Sequence, residues 1–214
     1  RPPTETPRPT ATFTPSPSAT PVVTATWLTH PANHITAPIL LYHHVADVND
    51  RYYVSPAVFQ QQMETLVSLG YTGITITQLV DVLMHGGLLP ERPVVITFDD
   101  GDVDVYQNAF PVMRSPGLVG TFYVVATRLN ADEFITIDQL KEMIGAGWDV
   151  GCHSMTHMDL TLNHEAMTYE AGECRNTLQK ELGIPIISFA YPFGSMDPFV
   201  AEKVAKYGYL AAVG

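Results

Sequence analysis

Two cysteines, two tryptophans and eleven basic residues in a chain of 214 set the first boundaries. Cys152 and Cys174 are too few to found a disulfide-stapled scaffold, so a folded part must rest on an apolar core. Lysine and arginine together are half as many as the twenty-two acidic residues, and the formal net charge is -11. Without a basic face to neutralise phosphates, nucleic acid is not expected as a partner. No apolar run approaches the roughly 20 residues that a membrane-spanning helix needs, so neither a transmembrane segment nor a signal peptide is visible.

What is abundant is distributed unevenly. Residues 1–37 are dominated by Pro, Thr, Ser and Ala, as in Pro7-Arg8-Pro9-Thr10-Ala11-Thr12, and such a segment cannot bury enough apolar area to fold. It reads as a disordered, extended spacer, open to O-glycosylation, that holds a domain away from a membrane or wall anchor. That implies an extracellular or envelope-attached location. The spacer carries +1 (Arg1 and Arg8 against Glu5), so residues 38–214 carry -12. They suit one domain with a single buried core. Within it Cys152 is expected as a small buried thiol, with pairing to Cys174 left open for an oxidising compartment.

Apolar runs and helix signals alternate through the domain. Strands are expected at 39–43, 74–77, 94–98, 120–125, 148–152, 186–191 and 209–213, and helices at 55–69, 78–85, 103–113, 137–144, 164–182 and 198–207. Ser55 as N-cap, Pro56 at the first helical position and Gly70 past the end form a consistent set of start and stop signals. The alternation argues for an α/β fold of parallel strands wrapped by helices. About seven strands make it a distorted or incomplete (β/α)7 barrel, whose site belongs at the C-terminal strand ends.

Two short segments fall at such ends. Asp99 and Asp100 follow the apolar run Val94-Val95-Ile96 and precede Gly101, which permits a tight turn. Successive strand side chains point to opposite sides, so one carboxylate can ligate a cation while its neighbour faces substrate. His153 and His157, four apart, read as one face of a helical turn and can converge on one ion. Alone, an Asp-Asp-Gly is most often a turn and a His-x-x-x-His a solvated helix face. Together, each after an apolar strand, they supply three protein ligands and leave a position open, the arrangement of a catalytic metal.

Thr97-Phe98-Asp99-Asp100-Gly101 followed by His153-Ser154-Met155-Thr156-His157 resembles the first two motifs of the polysaccharide deacetylases, carbohydrate esterase family four, whose fold is the NodB homology domain. The likeness runs over residues 38–214. It implies Asp99 as general base and Asp100, His153 and His157 as ligands of a divalent cation. Zinc comes first, although cobalt, nickel or iron suit the same donors. In the third motif, Phe189-Ala190-Tyr191-Pro192-Phe193-Gly194, Ala190 stands where the commonest pattern has an arginine against the base. By similarity the Phe193 N–H helps stabilise an oxyanion.

The family's last motif, a Leu-x-His that carries the general acid, does not follow Phe193. Leu41-Tyr42-His43 on the first strand can take its place if first and last strands are neighbours in a closed barrel. A Tyr-His near the start together with this third motif resembles the branch that deacetylates poly-β-1,6-N-acetylglucosamine. His43 is assigned as acid and His44 to packing or support, because both cannot face inward on a regular strand. Asp102 and Asp104 are placed in the first turn of the next helix, and Trp148 in the core.

The resemblance therefore implies metal-assisted removal of N-acetyl groups from an acetylated amino-sugar polysaccharide. Asp99 takes a proton from water and His43 gives one to the departing amine. With no guanidinium beside Asp99, modest turnover is expected. Peptidoglycan or chitin-oligomer N-deacetylation and acetylxylan esterase action are the alternatives among hydrolases. A catalytically degenerate glycan-binding domain that kept the metal is the alternative from another class. Linkage preference and oligomeric state are not legible in these residues.

Overall fold

A computed structural model describes residues 25–214. In chain order it contains β1 (Trp27–His30), β2 (Ile39–Tyr42), β3 (His44–Val45), β4 (Tyr53–Val54), α1 (Pro56–Ser68), β5 (Thr72–Ile74), α2 (Ile76–His85), β6 (Gly87–Pro90) and β7 (Pro93–Phe98). There follow α3 (Phe110–Arg114), β8 (Thr121–Val124), α4 (Ile137–Gly145), β9 (Asp149–Cys152), α5 (Cys174–Leu182), β10 (Ser188–Ala190), α6 (Pro198–Lys206) and β11 (Ala211–Val213).

Seven strands form one parallel sheet in the order β11-β10-β9-β8-β7-β2, with β5 pairing the start of β7. The expected incomplete barrel is what forms, a curled parallel sheet wrapped by helices. It stays open, because β2 and β11 do not pair with each other. The closed-barrel adjacency offered above for His43 is therefore corrected: His43 follows β2 at one edge of the sheet.

The period of two sorts the strand side chains into two clusters. Val94, Ile96, Phe98, Phe122, Val124, Val150 and Phe189 face α1, α4 and α5 and form the main core with Phe59, Met63, Leu140 and Leu178. Val95, Tyr123 and Ala190 face the other way, against Ile76, Leu79 and Val80 of α2 and Leu89 of β6. Each fully buried aliphatic or aromatic side chain contributes about 1.5–3 kcal/mol. Trp148 is buried and stacks on Phe98 at 5.4 Å, as expected of a core residue. Gly151 admits a crossing that no other residue could: a Cβ there would lie 2.3 Å from the Tyr123 ring.

Helix boundaries follow their caps. Ser55 accepts from the Val58 N–H, and Thr75 with Gln78 and Thr136 with Gln139 close reciprocal capping boxes. Two expected helices are interrupted. Over 103–113 a π-helical turn, Val105–Ala109, precedes α3, where Pro111 has no N–H to continue an α-helical ladder. Over 164–182 the chain runs through a 3-10 turn (His164–Ala166) and a π-helical turn (Thr168–Glu173) before α5. Gly172 lies in that π turn, against the Tyr207 ring.

Two further expectations are corrected. The spacer read over residues 1–37 does not extend to residue 37, since β1 pairs antiparallel with β6 from Trp27↔Pro90 to His30↔Gly87. Residues 1–24 of that segment lie outside the described residues. Cys152 is not a free thiol. It is joined to Cys174 by a disulfide across a Cα–Cα distance of 6.2 Å, tying β9 to α5.

Candidate metal centre

β7 is buried throughout, the mark of a central parallel strand, and delivers Asp99 at its C-terminal end. The Asp99 N–H still donates to the Tyr42 carbonyl at 3.0 Å, so Asp99 extends the pairing with β2. Asp100 then turns into left-handed backbone (φ 76°), followed by Gly101 at φ 90°. It is this turn, not strand alternation alone, that sends the two carboxylates in different directions.

β9 delivers His153 in register, its N–H donating to the Val124 carbonyl at 2.9 Å. The segment from His153 to His157 is a loop, not the helical turn expected from the spacing. Ser154 (φ 64°) and His157 (φ 65°) are both left-handed, and the His157 N–H donates to Ser154 Oγ at 2.8 Å. Convergence of the two imidazoles thus comes from a tight bend, with ring centroids 4.8 Å apart.

One ligand atom from each of Asp100, His153 and His157 lies within 4.8 Å of the others. His157 Nε2 is 3.2 Å and His153 Nε2 3.8 Å from Asp100 Oδ1. Tetrahedral donors around an ion at about 2.0–2.2 Å would be roughly 3.3–3.6 Å apart, and the two distances to Asp100 Oδ1 are close to that range, as a small divalent cation requires. His153 Nδ1 hydrogen-bonds the Ala190 carbonyl at 2.9 Å, which fixes the ring and leaves Nε2 free to ligate. Burial pushes the His153 pKa down to about 4, although the Ala190 bond works against it, and burial also lowers that of His157. Both imidazoles are therefore neutral at pH 7, as ligands must be.

Asp99 stands beside this set, its Oδ2 4.0 Å from His153 Nε2. It is 7% exposed, and its Oδ1 is buried with no hydrogen-bond partner among the described residues. Burial first, and the Asp100 charge second, push its pKa up to about 8. Without a cation nearby it is protonated at neutral pH. The alanine at position 190 offers no side-chain donor to the orphaned oxygen.

The other expected residues are placed less tightly. His43 is half-buried, with its ring 5.0 Å from that of Tyr52. Burial lowers its pKa, and Asp100 is near enough to oppose that shift. His44 is drawn away: its ring stacks on Tyr53 at 4.1 Å and Nδ1 pairs with Asp104 Oδ2 at 3.0 Å. Phe193 (φ 60°) lies in a 3-10 turn, 70% exposed, with its ring edge-on to His157 at 4.6 Å.

The structure also brings in residues that the sequence did not flag. The Arg128 guanidinium, from the turn after β8, is 3.7 Å from Asp100 Oδ1. Its position just past a strand end was the available signal. Glu170 reaches the histidine loop from the π-helical turn, with no local pattern to announce it.

A family-wide sequence model described as "Polysaccharide deacetylase" matches residues 87–212. The poly-β-1,6-N-acetyl-D-glucosamine N-deacetylase of Staphylococcus aureus is 26% identical over 177 residues, covering 74% of this chain and 61% of its own length. The chain spans about six-tenths of the length of the curated relatives it matches. Among solved structures, the Streptococcus pyogenes deacetylase PplD in complex with acetate superposes with a TM-score of 0.77 at 25% identity, covering 82% of each chain. IcaB from Ammonifex degensii superposes with a TM-score of 0.71 at 28% identity, covering 84% of each chain.

Proposed function

Since this chain belongs to the polysaccharide deacetylase family, we propose that it is a metal-dependent N-deacetylase of an extracellular polysaccharide built from N-acetylglucosamine, with poly-β-1,6-N-acetylglucosamine favoured. The observation that carries the reading is the convergence of Asp100, His153 and His157 on one point, with the buried Asp99 carboxyl beside them. The likeness to the S. aureus deacetylase supports the substrate. Location outside the cell rests on the Pro/Thr/Ser-rich segment at 1–24, with the Cys152–Cys174 disulfide as support.

Asp100, His153 and His157 would hold a divalent cation, which would supply Lewis acidity toward an acetamido carbonyl and a bound water; zinc suits the donor set, and cobalt, nickel and iron are acceptable to it. Asp99 is the base. It must be ionised to accept the water proton; burial and Asp100 repulsion keep it protonated, and a cation at the three donors would favour the ionised form. The Phe193 N–H is the donor toward the developing oxyanion. His43 delivers a proton to the leaving amine. Its lowered pKa keeps the imidazolium scarce at neutral pH, which limits the rate in the same direction as the absent arginine.

Acetate release from β-1,6- and β-1,4-linked N-acetylglucosamine oligomers, with zinc, cobalt or chelator, tests the reading on wild type and Asp99→Asn. Metal-dependent release lost in the variant is expected, with the β-1,6 polymer preferred. Preference for the β-1,4 oligomers would move the substrate to chitin or peptidoglycan. No release from a metal-loaded wild type that still binds glycan would replace the enzyme by a binding domain.

A further inference from the structure

The loop that presents both imidazoles is held on two sides. From one side the Ala126 N–H donates to the Ser154 carbonyl at 3.1 Å, and the Thr127 N–H and hydroxyl donate to the Met155 carbonyl at 3.1 and 2.6 Å. From the other side the hold is a single residue. Glu170 accepts the Thr156 N–H on Oε2 at 2.9 Å and the Thr156 hydroxyl on Oε1 at 2.7 Å, while its carbonyl accepts the Met155 N–H at 3.0 Å.

Glu170 is 1% exposed. Among the described residues no lysine, arginine or histidine forms an ion pair with it. A buried carboxylate with no cation is costly, and packing alone would favour an apolar residue there. Both of its oxygens are engaged by Thr156, which lies between His153 and His157. The loop needs such a hold, because Ser154 and His157 keep a left-handed backbone that non-glycine residues seldom adopt unsupported. Glu170 is itself part of the π-helical turn Thr168–Glu173, an irregularity that recurs at functional sites. Four residues on, Cys174 fastens the same helical segment to Cys152, next to His153.

We propose that Glu170 is a positioning residue of the metal centre: through Thr156 it fixes the separation and aim of the His153 and His157 imidazoles. This rests on the metal-centre reading above. The direct measurement is the zinc dissociation constant, by chelator competition, for the full chain and for Glu170→Met, Thr156→Val and Thr156→Ser, alongside thermal midpoints. Glu170→Met removes both acceptors at nearly unchanged volume, and Thr156→Val removes the hydroxyl.

Both variants are expected to bind zinc about tenfold more weakly, the low end for loss of a ligand-supporting contact. Thr156→Ser, which keeps the hydroxyl, should restore most of the affinity lost in Thr156→Val. A purely structural carboxylate would lower the thermal midpoint and leave the zinc constant unmoved, so folded Glu170→Met and Thr156→Val proteins that bind within twofold of wild type overturn the proposal. If Glu170→Met does not fold, the Thr156 pair decides by the same criterion, since Thr156 is exposed. A wild type that binds no zinc overturns the metal-centre reading and this one with it. Equal affinity in wild type and variants overturns this one alone.

Discussion

The strand-end rim has two unlike halves. The half built on β7, β8 and β9 carries Asp99, Asp100 and His153, all inside or at the edge of the buried core, and its histidine side is fixed by further contacts. His153 is held by the Ala190 carbonyl, the His157 backbone by Ser154 Oγ, and the loop between them by Glu170. The other half carries His43 after the edge strand β2 and Phe193 after β10, next to the edge strand β11. His43 is half-buried against Tyr52, and Phe193 is 70% exposed. A cation site tolerates only a few tenths of an ångström of error in its donors. A polymer, by contrast, must lie along an open edge to present one residue among many. Rigidity on one side and access on the other is what the proposed reaction asks of this rim.

Changes on the rigid half should therefore cost the most. His153→Ala removes a ligand that nothing else replaces; metal should be lost on dialysis and acetate release should fall by roughly a thousandfold or more. Asp99→Asn comes next. Loss of a general base typically costs about 10²–10⁴-fold, while zinc affinity should stay within a few-fold, because Asp99 is not among the converging ligands. An equal loss of metal in both variants would break the division of labour between the adjacent carboxylates.

The same residue fixes a pH dependence in the metal-free protein. The folded-state pKa of Asp99, about 8, lies above its ordinary 3.8, so between those values the folded chain binds more protons than the unfolded one. Its contribution to stability is fully present below about pH 4 and is lost as pH rises toward 8. The difference in denaturation midpoint between the metal-free wild type and metal-free Asp99→Asn should fall over that interval, a comparison that cancels the opposite trend set by His153, whose pKa is pushed down to about 4.

The rigid half was also the more legible. Val94 to Phe98 reads as a central strand because every position is apolar or small and every one is buried, so no alternation blurs the assignment. Ser55-Pro56 announced α1 through cap chemistry that is local to a few residues. What could not be read depends on long-range geometry or on averaging. Trp27–His30 was hidden by the proline and threonine content around it, and becomes a strand only because Gly87–Pro90 lies beside it. The four-residue spacing of His153 and His157 suggested a helix, yet the left-handed Ser154 and His157 bring the rings together without one. Nothing in sequence ties Glu170 to Thr156 or Arg128 to Asp100, and the Cys152–Cys174 bond required knowing that the two Cα atoms come within 6.2 Å.

That disulfide lies on the rigid half and gives a stability test of it. It closes a loop with a sequence separation of 22, for which chain entropy suggests about 3 kcal/mol. In a chain of this size Cys174→Ala should lower the thermal midpoint by roughly 6–12 °C. Zinc affinity should weaken with it, since the bond anchors the residue before His153. A midpoint shift with unchanged affinity would mean that the loop is held well enough by its hydrogen bonds.

The open half should respond more gently, and by side chain rather than by fold. His43→Ala is expected to cost about 10²-fold in acetate release, the low end for a general acid. His44→Ala should cost far less, because its ring is committed to Tyr53 and Asp104. Comparable losses would mean that the two histidines share the proton. Phe193→Ala should be mildest, under tenfold in kcat, because the group assigned to the oxyanion is its backbone N–H, which alanine keeps. Any loss should fall on KM, through the exposed ring edge-on to His157. A large fall in kcat would instead place the Phe193 side chain in the support of His157, and the rim's two halves would be mechanically one.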